Sequence, residues 1–475
     1  MSTEASSATT KPAEDKGILE NLKHIELPKD EDGFYTAAPP AGEAGSSKGE
    51  SSTETASQLL KSSYAVQVTL ADQQADPNSP LYSVQTFDQL GLDPNLLKGV
   101  YAMGFKKPSK IQERALPLLL QNPPRNMIGQ SQSGTGKTAA FTLAMLSRVN
   151  FELDAVQALC IAPSRELARQ IMAVVIDMGK YTPVTTSYAI KDSVAPGTIV
   201  RSHIVVGTPG TITDLLRKKS IDAKNIKIFV VDEADNMLDQ QGLGEQTMRV
   251  KNLLPRSCQV VLFSATFPDN VRKFANNFAP QANEIRLKQE ELSVEGIKQF
   301  YMDCKDVNHK YDVLVELYSL LTIGQSIIFC KEKQSADIIA QRMQAQGHKV
   351  VVLHGSKDPA ERDQIIDNFR KGNDKVLITT NVIARGIDIL QVNMVVNYDL
   401  PLTVDRRPDP ETYLHRIGRT GRFGRRGISI NFVHDKQSWK DNNEIEQALG
   451  RTIVRVKTDD FDEMEEQLRK ALKDT

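Results

Sequence analysis

Short apolar runs alternate with helix-length segments along most of the chain. The runs are rich in β-branched side chains and are apolar at consecutive positions, so we expect both of their faces to be buried. Buried strands separated by helices are typical of a parallel sheet covered by helices. The predicted strands cover residues 126–129, 157–162, 203–207, 226–231 and 259–263, and then 325–330, 349–353, 375–379, 393–397 and 428–433.

A polar segment divides this pattern into two parts of similar size. Residues 288–296 read KQEELSVEG and offer no core positions. We therefore predict an α/β fold with two tandem parallel-sheet domains. The first domain is expected at residues 81–287, the linker at 288–296 and the second domain at 297–475.

The first 80 residues follow a different pattern. Up to about residue 55 they are rich in Ser, Thr, Glu, Gly and Pro, so they cannot bury enough apolar surface to offset their ordering entropy. We predict a disordered extension over residues 1–80. Within it, Leu59, Leu60 and Tyr64 could share one face of a short helix that Ser57 caps. A disordered tail with three apolar residues is the alternative.

Composition adds a charge gradient to this picture. The 475-residue chain has 59 Lys and Arg against 60 Asp and Glu, but residues 1–80 hold 6 basic and 13 acidic side chains. The rest is mildly basic, which favours local contact with a polyanion.

No apolar run approaches the ~18 residues that a membrane helix needs, so we predict no membrane insertion. The four cysteines lack metal-binding spacing, and we expect them to be reduced and buried.

A glycine-rich segment, SQSGTGKT at 131–138, lies between the predicted strand NMIG and a helix-like run. This is the context of a phosphate-binding loop, in which backbone N–H groups point at phosphate oxygens. Lys137 would reach the β- and γ-phosphates, and the Thr138 hydroxyl would hold Mg²⁺. Ser131 stands where the first glycine of such a loop usually lies. A fortuitous glycine turn is the alternative.

An acidic segment follows another predicted strand, because KIFVVDEADNML places DEAD at residues 232–235. Asp232 would hold Mg²⁺ through water, and Glu233 would orient the attacking water. A solvated acidic turn is the alternative. The preceding strand is apolar on both faces, so we consider this alternative less favourable. The two motifs together indicate hydrolysis of a nucleoside triphosphate.

Further motifs add a resemblance to a known family. GFKKPSKIQ lies at 104–112, SAT at 264–266, ARGID at 384–388 and HRIGRTGR at 415–422. In this order they resemble the DEAD-box RNA helicase family, and DPNSPLYSV with the insertion LTVDRRPDPET resembles its nuclear-pore mRNA-export subfamily. The resemblance implies two RecA-like domains and an ATP-dependent RNA helicase that acts as a monomer.

The resemblance also assigns ATP contacts to both domains. Gln112 resembles the glutamine that reads adenine, Phe105 would stack on the ring, and Asp388 would touch the ribose. A core position is the alternative for Phe105, and its pattern alone favours that alternative. Arg419 and Arg422 resemble arginine fingers that reach the γ-phosphate from the second domain. The implied ATP-binding residues are Phe105, Gln112, Ser131, Gln132, Ser133, Gly134, Thr135, Gly136, Lys137, Thr138, Gly386, Asp388, Arg419 and Arg422. The implied catalytic residues are Lys137, Asp232, Glu233, Arg419 and Arg422, and the implied metal ligands are Thr138 and Asp232.

RNA would lie across both domains and would be held without regard to sequence. Backbone N–H groups at helix starts and a few Arg and Thr side chains suit phosphate contacts, which position a strand without reading its bases. The implied RNA-binding residues are Pro163, Arg165, Thr208, Pro209, Gly210, His354, Gly355, Arg362 and Thr380. Ser264, Thr266 and His415 would couple hydrolysis to strand separation.

The implied mechanism is closure of the two domains on ATP and single-stranded RNA, with unwinding of short duplexes or removal of proteins from mRNA. An ATP-gated RNA clamp that uses hydrolysis as a timer is the alternative, and a processive DNA translocase is a third class. The subfamily implies a nucleoporin and a Gle1-type activator with inositol hexakisphosphate as partners. It implies a location in cytoplasm and nucleus, concentrated at the cytoplasmic face of the nuclear pore, and an autoinhibitory role for residues 59–64.

Overall fold

The computed structural model describes residues 66–72, 83–130, 135–239, 242–287, 296–321, 324–381, 392–403, 405–421 and 427–473. These residues form two domains, each built on one sheet with helices packed against both faces. Apolar side chains of the strands and helices fill the two cores. The predicted α/β fold with two parallel-sheet domains is confirmed.

The sheet of domain 1 has the strand order β1-β8-β2-β7-β6-β3-β5-β4 in the described part of the chain. All of its neighbouring strands run parallel except β1 and β8, which pair antiparallel. The strands are β1 (Val66–Thr69), β2 (Met127–Gln130), β3 (Ala158–Ile161), β4 (Thr186–Ala189), β5 (Ile204–Gly207), β6 (Ile228–Val231), β7 (Gln259–Ser264) and β8 (Asn283–Leu287).

The sheet of domain 2 has the order β11-β12-β10-β13-β14-β9-β15, with every neighbouring pair parallel. The strands are β9 (Ile297–Asp303), β10 (Gln325–Phe329), β11 (Val350–Leu353), β12 (Val376–Thr379), β13 (Val392–Asn397), β14 (Gly427–Val433) and β15 (Val454–Val456).

Helices connect most of these strands. Those of domain 1 are α1 (Pro94–Ala102), α2 (Lys110–Leu120), α3 (Lys137–Arg148), α4 (Arg165–Met178), α5 (Pro209–Arg217), α6 (Ala234–Asp239), α7 (Leu243–Leu253) and α8 (Asp269–Phe278). Those of domain 2 are α9 (Val307–Leu320), α10 (Lys333–Ala345), α11 (Pro359–Arg370), α12 (Pro410–Ile417), α13 (Lys436–Leu449) and α14 (Phe461–Lys473).

Side-chain caps fix where several functional helices begin. Ser164 accepts a hydrogen bond from the Leu167 N–H and so starts α4 directly after β3. Asp409 accepts from the Thr412 N–H and starts α12. Such caps satisfy N–H groups that have no partner within the helix, so each helix has a defined first residue.

All ten predicted strands are present, each within three residues of its predicted bounds. The first strand, β1, lies within the predicted disordered extension and corrects that prediction for Val66–Thr69. Val66 pairs with Leu287 at the edge of the domain 1 sheet, and Leu70 just beyond the strand is buried. The predicted helix at 59–64 and residues 288–295 of the predicted linker lie outside the described residues.

Two smaller findings complete the fold. All four cysteines are buried free thiols, and burial raises the pKa of each one. Among the described helices, none combines the length and apolar character that a bilayer crossing requires.

Candidate functional site

The described end of the predicted phosphate-binding loop is tied to helix α2. The Gln112 amide Nε2 donates to the Gly136 carbonyl at 3.0 Å, and the Ser109 hydroxyl donates to the Thr135 carbonyl at 2.7 Å. Gly136 has a φ of 102°, and a Cβ there would lie 2.5 Å from Gln112 Nε2. A side chain at this positive φ is strained, and it would also displace the Gln112 amide from its hydrogen bond. The predicted adenine-reading glutamine is therefore joined to the loop itself.

Lys137 is the first residue of α3, and backbone N–H groups at a helix N-terminus attract anions. The side chain is buried, and Thr138 beside it is half-buried. Other predicted residues of this loop, Ser131, Gln132, Ser133 and Gly134, lie outside the described residues.

The acidic segment begins where β6 ends. Asp232 and Glu233 are both buried, and Glu233 adopts a left-handed φ of 53°, which is strained for a residue with a side chain. Burial raises the pKa of Asp232, the Lys137 ammonium opposes that rise, and the Glu233 carboxylate adds to it. Within the described structure, Glu233 Oε2 is buried without a hydrogen-bond partner. A buried lysine directly after the loop thus lies within electrostatic reach of the buried Asp232 carboxyl at the end of β6.

Asp235 is the centre of a junction between the two domains. Its N–H donates to the Ser264 hydroxyl at 3.1 Å, and its Oδ2 accepts from the Thr266 N–H at 3.1 Å and from the Thr266 hydroxyl at 2.9 Å. From domain 2, His415 Nε2 lies 3.3 Å from the same Oδ2, and Glu411 lies 3.2 Å from the Thr266 hydroxyl. We call these five residues the Asp235 junction. It joins all three predicted coupling residues to the DEAD segment.

A buried arginine holds α12 in place behind this junction. Arg416 donates to Asn397 Oδ1 at 3.0 Å, to the Asp399 carbonyl at 2.7 Å and to Asn381 Oδ1. Its guanidinium also lies 4.8 Å from the Phe329 ring centroid. Burial lowers the pKa of Arg416 to about 10, which still leaves it charged at neutral pH.

The first predicted arginine finger, Arg419, follows α12 and is 2% exposed. Its Nε donates to the His415 carbonyl at 2.9 Å, which orients the guanidinium relative to the Asp235 junction. The second finger, Arg422, and the predicted nucleotide contacts Gly386 and Asp388 lie outside the described residues.

Phe105 is half-buried against the domain 1 core, and its ring centroid lies 6.4 Å from that of Phe87 in an edge-on arrangement. This packing places one edge of the ring against Phe87. Its predicted stacking on adenine stays a prediction.

The predicted RNA-binding residues follow strand ends in both domains. Pro163 and Arg165 follow β3, and three more residues follow β5 at the start of α5, namely Thr208, Pro209 and Gly210. In domain 2, His354 and Gly355 follow β11, and Thr380 follows β12. Because the carboxyl ends of parallel strands meet at one edge of a sheet, each domain gathers its set at a single edge.

Two of the predicted RNA contacts form ion pairs between the domains. Arg165 Nη2 lies 2.9 Å from Asp363 Oδ2, and Arg362 pairs with the buried carboxylate of Glu166. The arginine side chains are 28% and 18% exposed, so each retains some accessible surface. A contact with RNA phosphate stays a prediction for both.

Sequence reasoning missed the acidic side of these contacts. Asp363 and Asp367 belong to no motif, Glu411 lies in the insertion LTVDRRPDPET without an assigned role, and each contacts a residue of the other domain. A signal was present in the spacing, because Asp363 and Asp367 are four residues apart on α11 and therefore share a face. That spacing identifies a charged face but not what it contacts.

Family models match both domains. The DEAD/DEAH box helicase model matches residues 109–274, and the helicase conserved C-terminal domain model matches residues 309–424. Among curated proteins, the chain is 66% identical over 417 residues to the ATP-dependent RNA helicase dbp5 of Schizosaccharomyces pombe, which covers 88% of this chain and 83% of that protein.

Two solved structures of a similar protein are informative. S. cerevisiae Dbp5 bound to RNA and ADP BeF3 is 57% identical and matches with a TM-score of 0.79, covering 82% of this chain and 100% of that one. A variant of S. cerevisiae Dbp5 bound to Nup159, a Gle1 variant, IP6 and ADP is 56% identical and has a TM-score of 0.61, covering 81% of this chain and 100% of that one. Of these two, the present structure is therefore more similar to the complex with RNA.

Proposed function

Since the chain belongs to the DEAD-box family of ATP-dependent RNA helicases, and within it to the Dbp5 subfamily, we propose that its domains close on ATP and single-stranded RNA together. Closure bends the bound strand, so that a short duplex loses base pairs or a protein leaves the mRNA. Each ligand favours the other, because both bind the closed state more tightly. The observation that carries this proposal is the Asp235 junction, in which the DEAD segment contacts domain 2 directly.

The buried charges around the phosphate-binding loop fit ATP with Mg²⁺. We assign Lys137 to the β- and γ-phosphates, and Thr138 and Asp232 to the metal. Mg²⁺ supplies positive charge that offsets the negative charge of the phosphates. Glu233 orients the attacking water, and its buried Oε2, which has no hydrogen-bond partner among the described residues, supports this role.

The two arginine fingers make hydrolysis depend on closure. Arg419 and Arg422 belong to domain 2, whereas the loop and the DEAD segment belong to domain 1. A guanidinium stabilises the transition state only where it reaches the transferring phosphoryl group. We therefore expect slow turnover in the open state and faster turnover when RNA helps to hold the domains together.

RNA binding without sequence preference completes the proposal. The helix starts after β3 and β5 present N–H groups to phosphates, as do the strand ends of domain 2 at His354 and Thr380. Contacts with the 2′-hydroxyl would favour RNA over DNA.

The cellular role we propose is mRNA export at the cytoplasmic face of the nuclear pore, with the protein present in cytoplasm and nucleus. Support comes from the S. cerevisiae relative, which has been solved in complex with Nup159, Gle1 and IP6. By analogy, a nucleoporin would bind this chain, and a Gle1-type activator with inositol hexakisphosphate would stimulate it.

ATP turnover of the full-length chain, with and without single-stranded RNA, tests the proposal. RNA should raise turnover, and Arg422→Ala should abolish the increase while ATP still binds. Wild-type RNA-stimulated turnover in Arg422→Ala would refute the shared cleft.

Two further measurements separate the alternative functions. Equal stimulation of ATP turnover by DNA and RNA would favour the translocase, and the amount of duplex released for each ATP consumed separates a helicase from a clamp. Addition of the activator loaded with inositol hexakisphosphate then tests the export role.

A further inference from the structure

Helices α4 of domain 1 and α11 of domain 2 face each other through charged side chains. Arg169 Nη1 lies 3.0 Å from Asp363 Oδ1, and Arg169 Nη2 lies 3.2 Å from Asp367 Oδ2. Arg165 contacts the other oxygen of Asp363 at 2.9 Å. One guanidinium thus bridges two carboxylates that stand one turn apart on the opposite helix.

Flanking contacts fix the register of the two helices. Glu166 of α4 pairs with Arg362 of α11, and Gln170 Oε1 accepts from Arg370 Nη2 at 2.8 Å. The Glu166 carboxylate is 1% exposed, and a buried carboxylate is costly unless it is paired. A shift by one turn would break the Glu166–Arg362 and Gln170–Arg370 contacts, so these two contacts set the register.

Arg169 is separate from the predicted ligand contacts. It lies one turn along α4 from Arg165, and neither it nor its two partners belongs to the ATP-binding or RNA-binding sets. The hydrogen bond between Arg169 and Asp367 joins residues 198 positions apart in different domains, so it forms only when the domains come together.

We propose that Arg169, Asp363 and Asp367 form an ion-pair seam that holds the closed arrangement of the two domains without touching ATP or RNA. They are positioning residues. The seam rests on the proposed function, since it matters only if closure is the active step. The seam raises the fraction of molecules in the closed state, and the apparent affinity for RNA rises in proportion to that fraction.

Removal of a negative charge distinguishes the seam from a direct electrostatic effect on RNA binding, because the two predict opposite changes in RNA affinity. Removing a carboxylate near a bound polyanion reduces repulsion, so direct electrostatics predicts tighter RNA binding in Asp367→Asn. Loss of the seam predicts the opposite, namely weaker binding. The Asp367 side chain is 42% exposed, so the substitution leaves the core intact.

The first experiment measures the RNA concentration that half-saturates ATP turnover in the full-length chain. We expect it to rise about threefold in Asp367→Asn, because pairs of this exposure contribute modestly, and further in Asp363→Asn, which removes two contacts. Turnover at saturating RNA should stay near the wild-type value. Glu361→Gln is the matched control, because its partner Lys357 lies one turn away in the same domain.

A second experiment follows closure itself. The four native cysteines are buried, so Glu152→Cys and Glu332→Cys at exposed sites allow selective labelling for energy transfer between the domains. The seam predicts less closure at subsaturating RNA in Asp367→Asn. Arg169→Gln combined with Asp367→Asn should have less than the sum of the two single effects.

Several outcomes would overturn the seam: an unchanged or lowered half-saturating RNA concentration in both Asp variants, an equal effect in Glu361→Gln, or additive single effects. These outcomes are distinguishable from failure of the proposed function. If wild-type turnover is not stimulated by RNA, the proposed function fails. If it is stimulated and the seam variants match it, the seam alone fails.

Discussion

The imidazole Nε2 of His415 lies 3.3 Å from Oδ2 of Asp235, although the two residues belong to different domains and stand 180 positions apart. Asp235 also accepts two hydrogen bonds from Thr266, so one buried carboxylate links the DEAD segment, the SAT segment and domain 2. A change in this junction is transmitted to both domains at once.

His415→Ala removes the domain 2 side of that contact. We expect RNA-stimulated kcat to fall about tenfold, since a hydrogen bond to a charged group contributes about 1.5 kcal/mol. ATP binding, measured with a fluorescent analogue, should persist because the loop residues are untouched. His348→Ala, at a half-buried histidine that packs against the Tyr318 ring, should turn over ATP normally. Normal kcat in His415→Ala would show that the contact has no role in turnover.

Glu233→Gln keeps the shape of the side chain and removes its charge. We expect single-turnover hydrolysis to slow by about a hundredfold, because the neutral amide oxygen is a weaker hydrogen-bond acceptor for the attacking water than the carboxylate is. The control is Glu245→Gln, whose partner Arg249 lies one turn away on the surface of the same domain. If Glu233→Gln hydrolyses ATP within about threefold of the wild-type rate, a group other than Glu233 orients the attacking water.

Gly136→Ala tests the tie between α2 and the phosphate-binding loop. The new methyl would meet the Gln112 amide and force a strained φ, so we expect ATP affinity to fall at least about tenfold. Gly347→Ala is the control, because Gly347 has a φ of 88° and open space around it. It should lower stability by about 1 kcal/mol and leave ATP affinity unchanged. Equal ATP affinities for the two variants would contradict the tie.

Asp399→Asn should destabilise domain 2 by about 3 kcal/mol at pH 7, because Lys310 is 3% exposed and would lose its ion-pair partner. Trp439, the only tryptophan of the chain, reports unfolding of this domain by fluorescence during urea denaturation. Asp405→Asn, at an exposed pair with Arg407, should match the wild type.

The same pair predicts a dependence on pH. Burial raises the pKa of Asp399, but the Lys310 ammonium and the Lys331 N–H outweigh that effect and lower it below the ordinary value of 3.8. The stability that Asp399 contributes is therefore present above that value and is lost as the pH falls through the lower pKa of the folded state. The difference between wild type and Asp399→Asn should shrink near pH 3, and a constant difference would contradict the assignment.

Two truncations separate the strand β1 from the proposed autoinhibitory segment. Removal of residues 1–65 deletes residues 59–64 and should raise ATP turnover in the absence of RNA, because the proposed autoinhibitory segment is then missing. Removal of residues 1–72 also deletes β1 and should lower the stability of domain 1 by about 2 kcal/mol through loss of buried apolar surface. If removal of residues 1–65 leaves ATP turnover without RNA unchanged, residues 59–64 have no autoinhibitory role.

Local sequence determined most of the fold and the motif part of the site. Ile228–Val231 and Ile428 with its neighbours are recognisable as strands because a parallel strand buried on both faces must be apolar at consecutive positions. Lys137, Asp232 and Glu233 are recognisable because a phosphate-binding turn and an acidic strand end each occupy a few consecutive residues. Each of these motifs lies within one short segment, so the local sequence is enough to identify it.

Only the tertiary structure decided which segments meet. The strand β1 lies beside β8 more than two hundred residues away, and the alternating pattern of Val66–Thr69 is compatible with a strand but does not identify its partner. Arg169 on α4 and Asp363 on α11 look like solvated helix faces when each helix is considered separately. The pattern along a segment reports how polar its surroundings are, whereas the identity of a partner from another domain depends on how the domains are placed.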